Sequence, residues 1–78
     1  MNKRSREILS QLIVKTEYNQ NISIQDLVDT FKVSSRTIRY DIDQINDYLK
    51  ENKLSSVNFG KKGVIKTNPD IVETSMYP

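Results

Sequence analysis

The 78-residue chain contains no cysteine, no histidine and no tryptophan, and only two glycines and two prolines. Without cysteine it has neither disulfides nor a thiolate zinc site. Without histidine it lacks the commonest general base and metal ligand. No apolar run approaches the length of a membrane span. Lys3, Arg4 and Arg6 are not followed by the unbroken apolar stretch of a signal peptide. A glycine-rich phosphate loop and clustered carboxylates are missing too, which argues against an enzyme, a cofactor or a metal. The absence of cysteine suits a reducing cytoplasm. The length suits one small domain with a limited core.

Charge is present but unevenly placed. The net value is only +2. Asn68–Pro78 carries Asp70 and Glu73 and no base, so twelve bases meet eight acids in residues 1–67, for +4. Lys32, Arg36 and Arg39 stand between Lys32 and Tyr40 with no acid among them, whereas Asp41, Asp43 and Asp47 follow with no base. The later acids Asp43 and Asp47 read most simply as solvated helix face.

Apolar spacing supplies the elements. Ile8, Leu9, Leu12 and Ile13 form a stripe on a first helix from Ser5 to about Thr16. A polar break follows, and then Ile22-Ser23-Ile24 as a very short strand. Ser23 and Asp26 have the S-x-x-D spacing of a capping box with Asp in place of Glu. Ile24, Leu27, Val28 and Phe31 then make the face of a short second helix. Only Lys32 and Val33 separate it from Ser34, a good N-cap for a third helix over Ser35 to about Lys50. That helix carries Ile38, Ile42, Ile45 and Leu49 at helical spacing, expected to pack on Leu9, Leu12, Leu27, Val28 and Phe31. Asn52 is the expected left-handed stop. Two helices joined so tightly must cross steeply. Val57 and Phe59 alternate with Asn58, Gly60-Lys61-Lys62-Gly63 follows, and Val64-Ile65-Lys66-Thr67 completes a hairpin. The predicted fold is mainly α with a small β-hairpin, a winged helix-turn-helix of three helices plus a wing. It occupies residues 1–67. Residues 68–78 are a tail or the start of a linker, with too little apolar content to form a unit.

The placement of polar groups on the third helix points to nucleic acid. A helix N-terminus favours phosphate through its free N–H groups and dipole, and arginine adds forked donors that match guanine O6 and N7 or a phosphate. Ser35, Arg36, Thr37, Arg39 and Tyr40 are the candidate recognition residues. Each has a plainer reading: arginines as solvated charge, Ser35 and Thr37 as capping or packing groups, Tyr40 as a core-edge tyrosine. Lys61 and Lys62 at the hairpin tip are the candidate wing contacts, or a solubilising tip. Asp41 would repel phosphate and is expected to pair with Arg4 or Arg6. Tyr18, Tyr48, Phe31 and Phe59 read as core or core-edge packing.

The run from Arg6-Glu7-Ile8-Leu9 through Ile24-Gln25-Asp26-Leu27 to Val33-Ser34-Ser35-Arg36-Thr37-Ile38-Arg39-Tyr40-Asp41-Ile42 resembles the bacterial winged-helix domains of the DeoR-like class. Ile45-Asn46-Asp47-Tyr48-Leu49-Lys50-Glu51-Asn52 and the glycine-containing wing resemble the amino-terminal domain of BglG-type regulators that carry phosphotransferase-system (PTS) regulation domains. WYL-type regulators and the biotin-ligase repressor share the same kernel. The resemblance covers about residues 4–67. It implies a sequence-specific module for double-stranded DNA in a cytoplasmic bacterial transcription regulator, tied to sugar phosphotransferase gene control. It also implies sensory domains after Pro69 and a homodimeric full-length protein, with no small-molecule ligand in this domain. A winged helix used for protein or RNA contact, as in antitermination, is the alternative. One departure is Lys32, which stands at a turn position where glycine is frequent.

Overall fold

The computed structural model describes residues 1–76. Helix α1 spans Lys3–Glu17 and starts earlier than its apolar stripe, because Asn2 caps it: the Ser5 N–H donates to Asn2 Oδ1 at 2.7 Å. At its far end Asn19 takes a positive φ of 54°, while the Asn19 and Gln20 amides donate to the Thr16 and Lys15 carbonyls. This is a Schellman closure, with asparagine where a left-handed residue is needed. Strand β1 (Ile22–Ser23) runs straight into helix α2 (Ile24–Phe31). The expected capping box is formed: the Asp26 N–H donates to Ser23 Oγ at 3.1 Å, and the Ser23 N–H to Asp26 Oδ2 at 2.9 Å.

Helix α3 (Ser35–Glu51) begins at the Ser34 cap. Its stop differs from expectation by one residue. Asn52 keeps a φ of −95°, and Lys53 takes the left-handed position at 59°. The Lys53 and Leu54 amides donate to the Lys50 and Leu49 carbonyls, again a Schellman closure. Leu54 packs on the core as that motif requires. Asn52 instead sends its side-chain amide back to the Tyr48 carbonyl at 2.8 Å.

Strands β2 (Asn58–Phe59) and β3 (Val64–Lys66) form the wing hairpin. A tight turn over Lys61–Gly63 joins them, with Lys62 at φ 59° and Gly63 at φ 72°. Two successive left-handed residues match the right-handed twist of a hairpin. The hairpin does not stand alone. β1 pairs with β3, Ile22 opposite Ile65, so the sheet is antiparallel with order β1-β3-β2. The architecture is mainly helical with a small three-stranded sheet, a winged helix-turn-helix.

Ile38, Ile42, Ile45 and Leu49 are fully buried with Ile8, Leu12 and Leu27. Val28 and Phe31 lie at the edge of this core, only partly covered. Two expected core-edge aromatics do not pack there. Tyr18 closes α1 on the surface at 72% exposure, and Phe59 is 39% exposed at the outer strand. The segment past residue 67, read as a tail, forms a 3-10 stretch over Pro69–Met76 against α1. It places Ile71 in the core at 1% exposure. Side chains help to fasten it: the Thr16 and Thr67 hydroxyls bond each other just before it, and the Ser55 N–H donates to Asp70 Oδ2 at 3.0 Å.

A candidate nucleic-acid interface on the third helix and the wing

The turn between α2 and α3 sets this surface. α2 ends where Lys32 adopts φ 55°, ψ 46°, its N–H still bonded to the Val28 carbonyl at 2.8 Å. That conformation reverses the chain within Lys32–Ser34, and Val33 tucks against the core. Lysine fills it at a cost, since left-handed backbone crowds Cβ. Lys32→Gly should therefore stabilise the fold by up to about 1 kcal/mol, the relief of strain exceeding the extra entropy of glycine in the unfolded chain. Urea unfolding of the variant measures it. A loss of stability would mean that the lysine side chain holds the turn in another way.

Ser34 then starts α3. Its hydroxyl accepts the Thr37 N–H at 3.2 Å and exchanges a second bond with the Thr37 hydroxyl at 3.0 Å. Thr37 is half-buried and belongs to this cap. Ser35, Arg36, Arg39 and Tyr40 are exposed, Tyr40 at 60%. Positions 36, 39 and 40 share one face by helical spacing. The first turn carries no acid. Arg36, in the first turn at the positive end of the helix dipole, opposes helix stability by about 0.3–1 kcal/mol, and Arg39 one turn on gains nothing from the dipole. Their position is not explained by what α3 needs to form. Among the described residues Arg36 has no ion-pair or hydrogen-bond partner.

The next residue faces the other way. Asp41 is completely buried, and its carboxylate receives Nε of Arg4, Nη2 of Arg4 at 3.3 Å and Nδ2 of Asn2 at 3.3 Å. Of the two expected partners, Arg4 makes the ion pair and Arg6 remains exposed. The hydrogen bond that Arg4 donates to Asp41 raises its guanidinium above its already high ordinary pKa, a gain only partly offset by burial. Gln44, one turn on, accepts from the Ser5 hydroxyl and the Asn2 N–H, each at 3.3 Å. The first turn of α1 is thus bound to the middle of α3, and the negative charge of Asp41 is kept off the basic face.

Lys61 and Lys62 are exposed at the wing tip. Two features seat the wing beside α3. Asn46 pairs its amide with the backbone of Val57, Oδ1 accepting the Val57 N–H at 2.7 Å and Nδ2 donating to its carbonyl at 3.1 Å. Arg39 lies over the Phe59 ring, 4.9 Å from guanidinium carbon to ring centroid. Neither is legible in the sequence, since both partners come from separate elements. An asparagine next to the apolar stripe of α3 was the only signal for the first.

The geometry offers exposed forked donors on a helix that a groove of B-DNA admits, with two lysines on a hairpin next to it. Among the described residues there is no helix long and apolar enough to cross a membrane. Residues 4–58 match the HTH domain family, which takes in α2, α3, nearly all of α1 and the start of β2. No curated protein and no solved structure gives a significant match. A tight left-handed turn between two capped helices is the local architecture of the matched residues, and the chain belongs to the helix-turn-helix domain family as a DNA-binding module of the transcription-regulator type.

Proposed function

We propose that this module reads specific DNA sequences for a bacterial transcription regulator, one that controls genes of sugar uptake by the phosphotransferase system. The observation that carries the reading of DNA is the exposed pair Arg36 and Arg39 with Tyr40 at the start of α3, neither arginine meeting a carboxylate among the described residues. Ser35 and these three side chains enter the major groove, where each base pair has its own donor and acceptor pattern. Thr37 acts through the cap that aims them. Lys61 and Lys62 grip the backbone beside the site. The link to sugar phosphotransfer rests on the likeness of Ile45–Asn52 and the wing to BglG-type regulators. In such a protein the sensory domains follow the 3-10 segment that packs on α1, and a homodimer presents two modules to half-sites about 34–36 Å apart.

Titration of binding against salt, on a duplex selected by the chain from a random pool and on a scrambled duplex, tests this. Affinity for both should fall as salt rises, with a clear preference for the selected duplex. Equal affinity for both would remove sequence reading, and binding indifferent to salt would remove phosphate contact. The double variant Lys61→Ala/Lys62→Ala has a separate expected outcome. Phosphate contacts position a protein without reading bases, so both duplexes should lose affinity by a similar factor. The salt slope should fall by about two. A changed sequence preference would contradict a purely backbone role for the wing tip.

A further inference from the structure

We propose that Phe59 is a positioning residue for DNA reading: its ring holds the Arg39 guanidinium so that the wing sets the aim of a recognition-helix side chain. This rests on the assignment of α3 as the reading helix. Phe59 is the cross-strand partner of Ile65, and directly opposed residues point to the same face of a sheet. Ile65 is buried toward the helices, so Phe59 faces them as well, at the outer edge where it stays 39% exposed. Alternation gives Val57 the same face, and Val57 is buried and held by Asn46 of α3. The strand that carries Phe59 is thus fixed to α3 one residue pair away.

An exposed phenylalanine at a strand end contributes little to the core, and its covered face is turned to Arg39 at 4.9 Å. A guanidinium within about 6 Å of a ring centroid is attracted by the ring face. Stacking occupies a face of the guanidinium and leaves its in-plane N–H donors outward, the edge that forks onto a base or a phosphate. Among the described residues no carboxylate competes for those donors. A long side chain otherwise free in several rotamers is preordered, and less entropy is lost when it meets its acceptor. Arg36 has no such support, so the two arginines differ in how they are presented.

The test uses the whole 78-residue chain on its selected duplex and on a scrambled one. Phe59→Ala should weaken the selected duplex on the order of two- to fivefold and the scrambled duplex less. The salt slope should not change, because no charge is lost. Phe59→Tyr, which keeps the ring face, should restore affinity. Arg39→Ala/Phe59→Ala should be no weaker than Arg39→Ala alone, since the ring acts through the arginine. In the free protein, ring-current shifts of the Arg39 side-chain protons should be present in the native chain and in Phe59→Tyr, and absent in Phe59→Ala. Equal weakening of both duplexes by Phe59→Ala, additive losses in the double variant, or Arg39 protons without ring shifts would each overturn the proposal. A native chain that binds no duplex would show no effect of any variant on DNA and would overturn the assignment of the helix itself, a result distinct from the other three.

Discussion

Ile42→Ala should lower the free energy of unfolding by about 2–5 kcal/mol. Ile42 is fully buried midway along α3, between Ile38 and Ile45 on the same stripe, and shares the core with Leu12 and Leu27. Deleting its outer carbons forfeits their transfer from water and leaves a cavity in a close-packed interior. Small domains have only about 5–15 kcal/mol in total, so this single change removes a large part. The melting temperature should fall by about 4–8 °C for each kcal/mol lost. Ile42→Val, which removes one methyl, should cost about 0.5–1.5 kcal/mol. Calorimetry on both variants decides the matter. An unchanged melting temperature for Ile42→Ala would be incompatible with α3 as the centre of the core.

Arg36→Ala should cost about 1–3 kcal/mol of binding on the selected duplex and far less on a scrambled one. Arg36 stands in the first turn of α3, exposed and unpaired, where a helix seated in the major groove meets base edges. Truncating a guanidinium forked onto guanine removes two donors at once and leaves the O6 and N7 acceptors of the base to water, which replaces those donors imperfectly. A phosphate contact behaves otherwise: both duplexes weaken alike and the salt slope drops by about one. Binding isotherms at two salt concentrations separate the cases. Equal losses on the two duplexes would take Arg36 out of base reading.

Most of the fold is written locally. Ser34 and the Ser23/Asp26 spacing carry their own helix starts, because a cap acts within three residues of itself. The strain at Lys32 follows from how little chain separates α2 from α3. Asp41 was readable as the partner of a base on α1, since a carboxylate beside the basic face would oppose phosphate, while its complete burial was not. Distant partners were less legible. Ile71 looks unremarkable in a polar tail until α1 is seen to leave a surface for it. β1 is two residues long, too short for alternation to reveal that it pairs with the wing. Phe59 has the right face by alternation but lies where the sheet ends, and its neighbour is a guanidinium rather than the core. The lysine at position 53 ends α3 because closure of a helix depends on which amide can turn back, and the flanking asparagine had a bond of its own to make.

The pairing of β1 with β3 has a consequence for synthesis. Ile22 meets its partner Ile65 only after α2, α3 and β2, which lie between them, have been translated. All three helices leave the ribosome first, and helices form in about a microsecond. At about 5–20 residues per second, the stretch from the end of α3 to the end of β3 takes on the order of a second to appear. Throughout that interval the nascent helices wait with Ile22 and the flank of α1 uncovered, because their cover is encoded after α3. Closing the sheet joins residues on either side of α2 and α3, so it carries a larger loop-closure cost than any of the helices. A chain cut just past Glu51 would therefore keep its three helices but lack the wing strands and the 3-10 segment that complete the core.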